Sequence, residues 1–218
     1  MALEDNYILL TKDVKHARIR VSEGGEVRVI VPPSFSEKEI ETLLSKKKRW
    51  IEKNLKFFEV KGKINLQRNQ ILLYGNRYNY FYDSACGKKV IIDHDHKTIQ
   101  SCKNLLDPEI QQSWMKSLAK KHLNARTKEL AQKLNFKYNR LFIRNQRTKW
   151  GNCSKEQNIS FNWRLIKAPL FVIDYLIIHE LVHTEIMSHT NKFWTMLRSH
   201  YPAYKEAINW LDKYGNSL

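Results

Sequence analysis

The sequence predicts an α+β protein: a β-rich N-terminal region with one helix over residues 1–105, then a mainly helical region over 106–218. Three observations carry this expectation. Short alternating apolar runs separated by Gly and Pro fill much of the first hundred residues, the period-two signature of strands. Apolar residues at helical spacing run from Glu109 to Leu134 and return after Pro169 and Pro202. With 218 residues, 42% of them hydrophobic, the chain holds one large or two small domains with a sizeable core, which excludes wholesale disorder.

Tyr7–Leu10, Ala17–Val21 and Val27–Val31 alternate, and Gly24-Gly25 separates the last two. Paired glycines accept positive φ at both turn positions, so an N-terminal β-meander is expected. Pro32-Pro33 ends the third strand. Ser36 and Glu39 then form a capping box for a helix from Glu37 to about Phe58. Its apolar side is Ile40, Leu43, Leu44, Trp50, Ile51 and Leu55, and Lys46–Arg49 reads as a wet face. Gln70–Tyr74, Tyr78–Tyr82 and Lys89–Asp93 read as short strands with a turn at Tyr74–Arg77. Leu105–Pro108 links into a helix over 109–134 with the stripe Trp114, Leu118, Ala125, Leu130 and Leu134. Strands are expected over Arg140–Arg144 and Asn158–Trp163, with the turn-rich Thr148–Glu156 between them. Pro169 suits the first turn of a helix, where an N–H is not needed, and that helix should run to about Ile186. Thr190 caps a helix over Asn191–His200, and Pro202 precedes a last one to about Tyr214.

Lys plus Arg number 38 against 22 Asp plus Glu, a net charge of +16. Lys116–Lys167 alone holds 14 basic residues against Glu129 and Glu156. A field of this sign attracts nucleic acid, acidic proteins or anionic lipid head groups, and equally describes a solvated basic surface. The longest apolar stretch, Ala168–Ile178, is broken by Asp174 and is shorter than the ~20 residues of a membrane helix, so no membrane partner is expected. Glu4, Asp5 and Asp13 stand where a secretory leader needs a basic start. Cys86, Cys102 and Cys153 are too few and too unpatterned for a disulfide framework. Buried thiols and a cytoplasmic location are the expectation.

The chemistry concentrates at His179-Glu180-Leu181-Val182-His183. Histidines at i and i+4 stand one above the other on a helix face, where both reach one ion at about 2.0–2.1 Å. Glu180 points beside that ion, where a carboxylate takes the proton of a metal-activated water. In a chain of this composition the five residues alone arise by chance roughly one time in fifty, and a third histidine at His189 lowers that to roughly one in a thousand. His179, His183 and His189 are therefore the expected ligands of one zinc ion per chain, with an open fourth position, and Glu180 the expected general base. Glu185 and His200 are rival third ligands, the first too close along the helix and the second a helix away. Asp174 either orients a ligand or forms a surface pair. Arg164, Tyr175, Tyr201 and Tyr204 are eligible oxyanion donors.

An ordered series extends beyond the histidines. Thr148–Ser154, Ile159–Ile166, Ala168-Pro169, Asp174-Tyr175, the histidine motif and Phe193-Trp194 together resemble the YgjP-like metallopeptidase family. The resemblance is strongest from about Arg140 to Trp194 and reaches weakly into the N-terminal strands, the Trp50-Ile51 region and Leu73–Gly75. It implies a zincin-like catalytic domain with its active-site helix packed on a small sheet, zinc dependence, and kinship with SprT and WLM peptidases, some of which act on DNA-bound proteins. His179, His183 and His189 match the presumed zinc ligands and Glu180 the general base. Two positions depart from the usual Arg-Trp-Gly-Ser-Cys, since Lys149 and Asn152 replace the Arg and the Ser. Lys keeps the charge and loses the planar fork. The third-ligand spacing equals that of metzincins, yet Ile186 stands where that class has glycine, so the turn must be made differently. Trp150 is expected beneath the active-site helix, Gly151 at a turn or a close approach, and Cys153 as buried structure.

The leading expectation is thus a zinc peptidase acting on a protein or peptide that lies along Asn158–Trp163 as an edge strand. Nucleic acid recruited by the basic segment 116–167 is a second, compatible partner. A module with a structural, inactive zinc is the third reading, favoured by a closed fourth ligand such as His200.

Overall fold

Tyr7–Thr11 (β1), Arg18–Val21 (β2) and Val27–Val31 (β3) form one sheet in order β1-β3-β2. They belong to a computed structural model that describes residues 7–21, 26–60, 64–87, 89–146 and 148–218, the side chains of 53 and 56–60 excepted. The sheet is not a meander. β2 runs antiparallel to β3, but β1 passes over β2 to pair parallel with β3. Val27, Val29, Ile30 and Val31 are buried, so the most β-branched strand takes the centre, where both its edges are paired. Gly24-Gly25 lies outside the described residues. Glu37–Val60 (α1) begins as expected, with Ser36 N donating to Glu39 Oε2 at 2.8 Å and Ser36 Oγ to the same oxygen at 2.7 Å. Ile40 packs with Val29 and Val31. Trp50 departs from the expected apolar side and is exposed, as are Lys46–Arg49.

The chain divides into two compact units, up to Gly62 and from Lys63 onward. The boundary expected near 105 falls inside the second, because Ile71, Leu73, Tyr78, Tyr80, Ile99 and Leu105 share one core with the helix that follows. Gln70–Leu73 (β4), Asn76–Tyr82 (β5), Ile91–Asp93 (β6) and Thr98–Ser101 (β7) form a sheet in order β4-β5-β7-β6. Tyr74 and Gly75, with φ of 50° and 76°, close the β4–β5 hairpin. Two successive positive φ values are what a two-residue hairpin of right-handed twist requires.

Pro108–Leu134 (α2) is capped by Asp107, whose Oδ1 accepts from Glu109 N at 2.9 Å and Ile110 N at 3.0 Å. It ends where Asn135 turns left-handed at φ 60°. Its buried residues are Met115, Ala119, Leu123, Thr127, Leu130 and Ala131; of the expected stripe Leu130 is buried, Trp114, Leu118 and Leu134 are partly buried against the same core, and Ala125 is exposed.

Leu141–Arg144 (β8), Gly151–Cys153 (β9) and Ile159–Asn162 (β10) form the third sheet, in order β8-β10-β9. β10 pairs parallel with β8 and antiparallel with β9, so the expected edge at Asn158–Trp163 is corrected: this strand is central and fully buried. The edges are β8 and β9. Asn162 Nδ2 donates to Gln146 O at 2.8 Å and Lys149 O at 3.3 Å, tying the β8–β9 loop to the sheet. A 3-10 turn over Trp163–Lys167 leads to Leu170–Val182 (α3), Asn191–His200 (α4) and Tyr204–Tyr214 (α5). Among the described residues no helix is long and apolar enough to cross a membrane.

Candidate metal centre

α3 is a core helix. Val172, Ile173, Ile177, Leu181 and Val182 are fully buried, which anchors the polar residues of its last turn against a rigid body. It stops at Val182, earlier than the expected Ile186, and His183 is its C-cap. Thr184 does the terminating: its N–H reaches Leu181 O at 3.0 Å and its hydroxyl donates to the same oxygen at 2.7 Å, while Ile186 N donates to Val182 O at 2.9 Å. Helix carbonyls left open at a C-terminus are thereby satisfied without a left-handed glycine. A tight bond from Thr190 N to Ser188 O, 2.7 Å, then folds His189 back toward the helix.

The three histidines come together. His189 Nε2 lies 3.1 Å from His179 Nε2 and 3.2 Å from His183 Nε2. His183 Nδ1 is 3.0 Å from Ile186 O, a carbonyl that can only accept, so Nδ1 carries the proton and Nε2 presents a bare lone pair. The Tyr175 hydroxyl lies 3.4 Å from His179 Nδ1. Phe193, fully buried, sets its ring 4.5–5.0 Å from all three imidazole centroids. Trp194 stacks on His189 at 5.6 Å and 28°, and lies in turn on Tyr204. Phe193 and Trp194 thus position the exposed third imidazole; the resemblance quoted them, but residue chemistry alone did not mark them. Their signal is an aromatic pair one helical turn after His189.

Burial governs the protonation. It lowers His179 from 6.5 to about 3, with His183 and His189 adding repulsion, and it lowers His183 as well. Neutral imidazoles are the ligating form. Glu180, 4% exposed, is raised from 4.5 to about 8 by burial, against the pull of Lys149. Its Oε2 is buried with no hydrogen-bond partner among the described residues. Its Oε1 sits where a Cβ on Gly151 would come within 2.5 Å, so glycine at this position of β9 is what admits the carboxylate. The expected close approach at Gly151 is therefore made to Glu180 itself.

Other expected participants stand elsewhere. Asp174 forms the surface pair, accepting from Arg126 Nε at 2.7 Å and Nη2 at 2.6 Å. His200 packs edge-on against Phe136 and Glu185 is exposed, so neither joins the cluster. Tyr201 donates to Phe171 O at 2.8 Å and Arg164 Nη1 to Asn145 Oδ1 at 2.6 Å. Of the four oxyanion candidates, Tyr175 is the one whose hydroxyl the structure sets beside a cluster imidazole. Trp150 lies against Gly215 in the C-terminal turn, 3.4 Å from where a Cβ would stand there. Cys153 is buried, its thiol pushed up to about 11 by burial and then by Glu180, which makes it a poor nucleophile; Cys86 and Cys102 are half-buried rather than buried.

Three Nε2 atoms this close cannot satisfy one another through hydrogen bonds, since the His183 nitrogen has no proton to give and one proton cannot serve three acceptors. A cation satisfies all of them. Nitrogens about 2.0–2.1 Å from a tetrahedral zinc are roughly 3.3–3.4 Å apart, which the two observed separations approach. The donor set is three imidazole nitrogens, suited to zinc and neighbouring transition ions.

A histidine triad that fits a divalent cation, with a buried carboxyl next in sequence, places the α+β chain among candidate metal-dependent hydrolases. The family model described as YgjP-like, metallopeptidase domain, matches residues 15–214, and the chain belongs to this family. No curated protein matches the sequence.

Proposed function

We propose that the chain is a zinc-dependent peptidase in which His179, His183 and His189 hold one zinc ion through their Nε2 atoms and Glu180 is the general base. The observation that carries this reading is the convergence of three imidazoles next to the buried carboxyl of Glu180, whose Oε2 has no hydrogen-bond partner among the described residues. When bound, zinc lowers the pKa of a coordinated water and polarises a substrate carbonyl. Glu180 accepts the proton of the attacking water and returns it to the nitrogen of the leaving amine. The Nδ1–H of His183 on Ile186 O, and Trp194 stacked on His189, hold two of the ligands in register. The edge strand beside Glu180 is β9, so the substrate segment pairs along Gly151–Cys153.

Elemental analysis of the protein purified without affinity histidines should give about one zinc per chain, lost in His183→Ala. Glu180→Gln should keep the zinc and abolish cleavage of an unfolded protein such as casein. Cleavage retained in Glu180→Gln, or no metal bound after zinc is resupplied, overturns the reading.

A further inference from the structure

Outside the histidine cluster the molecule carries a second feature with chemistry of its own. A groove of about 450 Å³ opens between α2 and β8. Among the described residues its charged lining is Lys116, Lys120 and Arg144, with no acidic residue. Lys116 and Lys120 are one helical turn apart and so lie on one face of α2, and Arg144, at the end of β8, lines the same groove. Among the described residues none of these three takes part in an ion pair; Arg126, on the same helix, is neutralised by Asp174 and Glu129. Asn145 completes the mouth. Its Oδ1 already accepts from Trp163 Nε1 at 3.0 Å and from Arg164 Nη1 at 2.6 Å, so the group it has left to offer a ligand is its Nδ2 donor.

An exposed ring adjoins Arg144 at the edge of the groove. β8 alternates, with Phe142 and Arg144 on its open face, and the Arg144 guanidinium lies 5.3 Å from the centroid of Phe142, a ring 39% exposed. A row of cations that tracks a phosphate backbone, next to an aromatic face topped by guanidinium, is how single strands are held without sequence preference. An acidic peptide would use the cations and leave the ring idle; a duplex keeps its bases stacked away from it. β8 and β9 are opposite edges of the sheet, so the groove is separate from the Glu180 side.

We propose that the groove formed by Lys116, Lys120 and Arg144 binds the phosphodiester backbone of single-stranded nucleic acid, with Phe142 as the stacking surface for a base. It goes beyond the peptidase reading and does not depend on it, because its readout is binding alone.

The test is fluorescence anisotropy of the full chain with a labelled single-stranded DNA of about twenty nucleotides and with the matching duplex, between about 50 and 200 mM salt. The Lys116→Gln/Lys120→Gln/Arg144→Gln variant should bind the single strand roughly tenfold more weakly or worse, with the log–log salt slope flattened by about 2 to 3. A charge-matched control, Lys12→Gln/Lys38→Gln/Lys205→Gln, should lose less than about threefold. Phe142→Ala should weaken the single strand several-fold and leave the duplex unchanged. Lys120→Gln and Arg144→Gln alone should each give a partial loss, and thermal unfolding checks that every variant is folded. Equal losses in the two triple variants, no binding at the lowest salt, or displacement of the strand by polyglutamate as readily as by unlabelled DNA would each overturn the proposal, the last in favour of an acidic protein partner.

Discussion

Glu180 and Gly151 are a matched pair, one residue supplying the carboxyl group and the other the space for it. A Cβ at 151 would fall 2.5 Å from Glu180 Oε1 and 2.9 Å from its Cδ, so Gly151→Ala must move the carboxylate. It should destabilise the protein by about 1–3 kcal/mol, as overpacking in a buried site does. It should also depress the proposed peptide hydrolysis while leaving zinc content unchanged, since the three atoms nearest that Cβ all belong to Glu180; metal analysis and a cleavage assay beside denaturant unfolding check this. The shifted groups give the metal-free protein a pH signature. Glu180 is raised from 4.5 to about 8, so between those values the folded chain binds a proton that the unfolded chain has released, and stability falls as pH rises through the window. His179 is lowered from 6.5 to about 3, so in that range the unfolded chain holds the extra proton, and stability rises with pH. The unfolding midpoint of chelator-treated protein should therefore climb from acid toward neutrality less steeply than His179 alone would make it, then decline toward pH 8. Glu180→Gln should remove the decline and keep the acid limb. A variant whose alkaline limb matches that of the unmodified protein would show that burial does not govern this carboxylate.

At the scale of elements, the β4–β5 hairpin is fastened to the start of α3. Tyr74 N donates to Ile166 O at 3.0 Å and Gly75 N to Lys167 O at 2.8 Å, and a Cβ on Gly75 would stand 2.6 Å from Pro169 Cγ and 2.9 Å from its Cα. Gly75 also has φ 76°, so Gly75→Ala meets both a backbone penalty of about 1–2 kcal/mol and a clash. A total loss of about 2–4 kcal/mol is expected, read as a lower denaturant midpoint at unchanged slope. Such junctions also explain what could be read in advance. The histidine motif was legible because i, i+4 geometry belongs to any helix, whatever surrounds it. The stripe of α2 was legible only in part because period alone does not say which neighbour a helix faces; packing against the Trp163–Lys167 turn and β8 buries Met115, Ala119 and Leu123 and leaves Trp114 and Leu118 partly buried on the same core. β9, reading Gly-Asn-Cys, has no strand propensity, and only the ladder to β10 makes it one. β7 has one large apolar residue, Ile99, and was missed for the same reason. The return of His189 was expected from spacing, but the hydroxyl of Thr184, which replaces the missing glycine, is a tertiary detail that no period encodes.

At the scale of the whole molecule, the two compact units differ in what they can sustain. Every residue of the histidine cluster, Glu180, β9 and the groove on α2 belongs to the unit that begins at Lys63. That unit holds one continuous core running from Ile71 to Ala207, whereas the buried cluster of the N-terminal unit is Val29, Val31 and Ile40 with partly buried neighbours. A segment of about 60 residues buries too small a share of its surface to be more than marginally stable. A fragment comprising residues 63–218 should therefore fold cooperatively and bind zinc like the full chain, and the segment 1–62 should be largely unfolded alone. Zinc ties this to the site: a ligand that binds only the folded state adds about 2.7 kcal/mol at a hundredfold excess over its Kd. The unfolding midpoint of the 63–218 fragment should then rise with zinc by an amount that His183→Ala abolishes. Circular dichroism melts of the fragment with chelator and with zinc decide it. A fragment that stays unfolded in zinc would mean that the N-terminal unit is required to build the metal centre, and an equal zinc shift in His183→Ala would place the bound ion elsewhere.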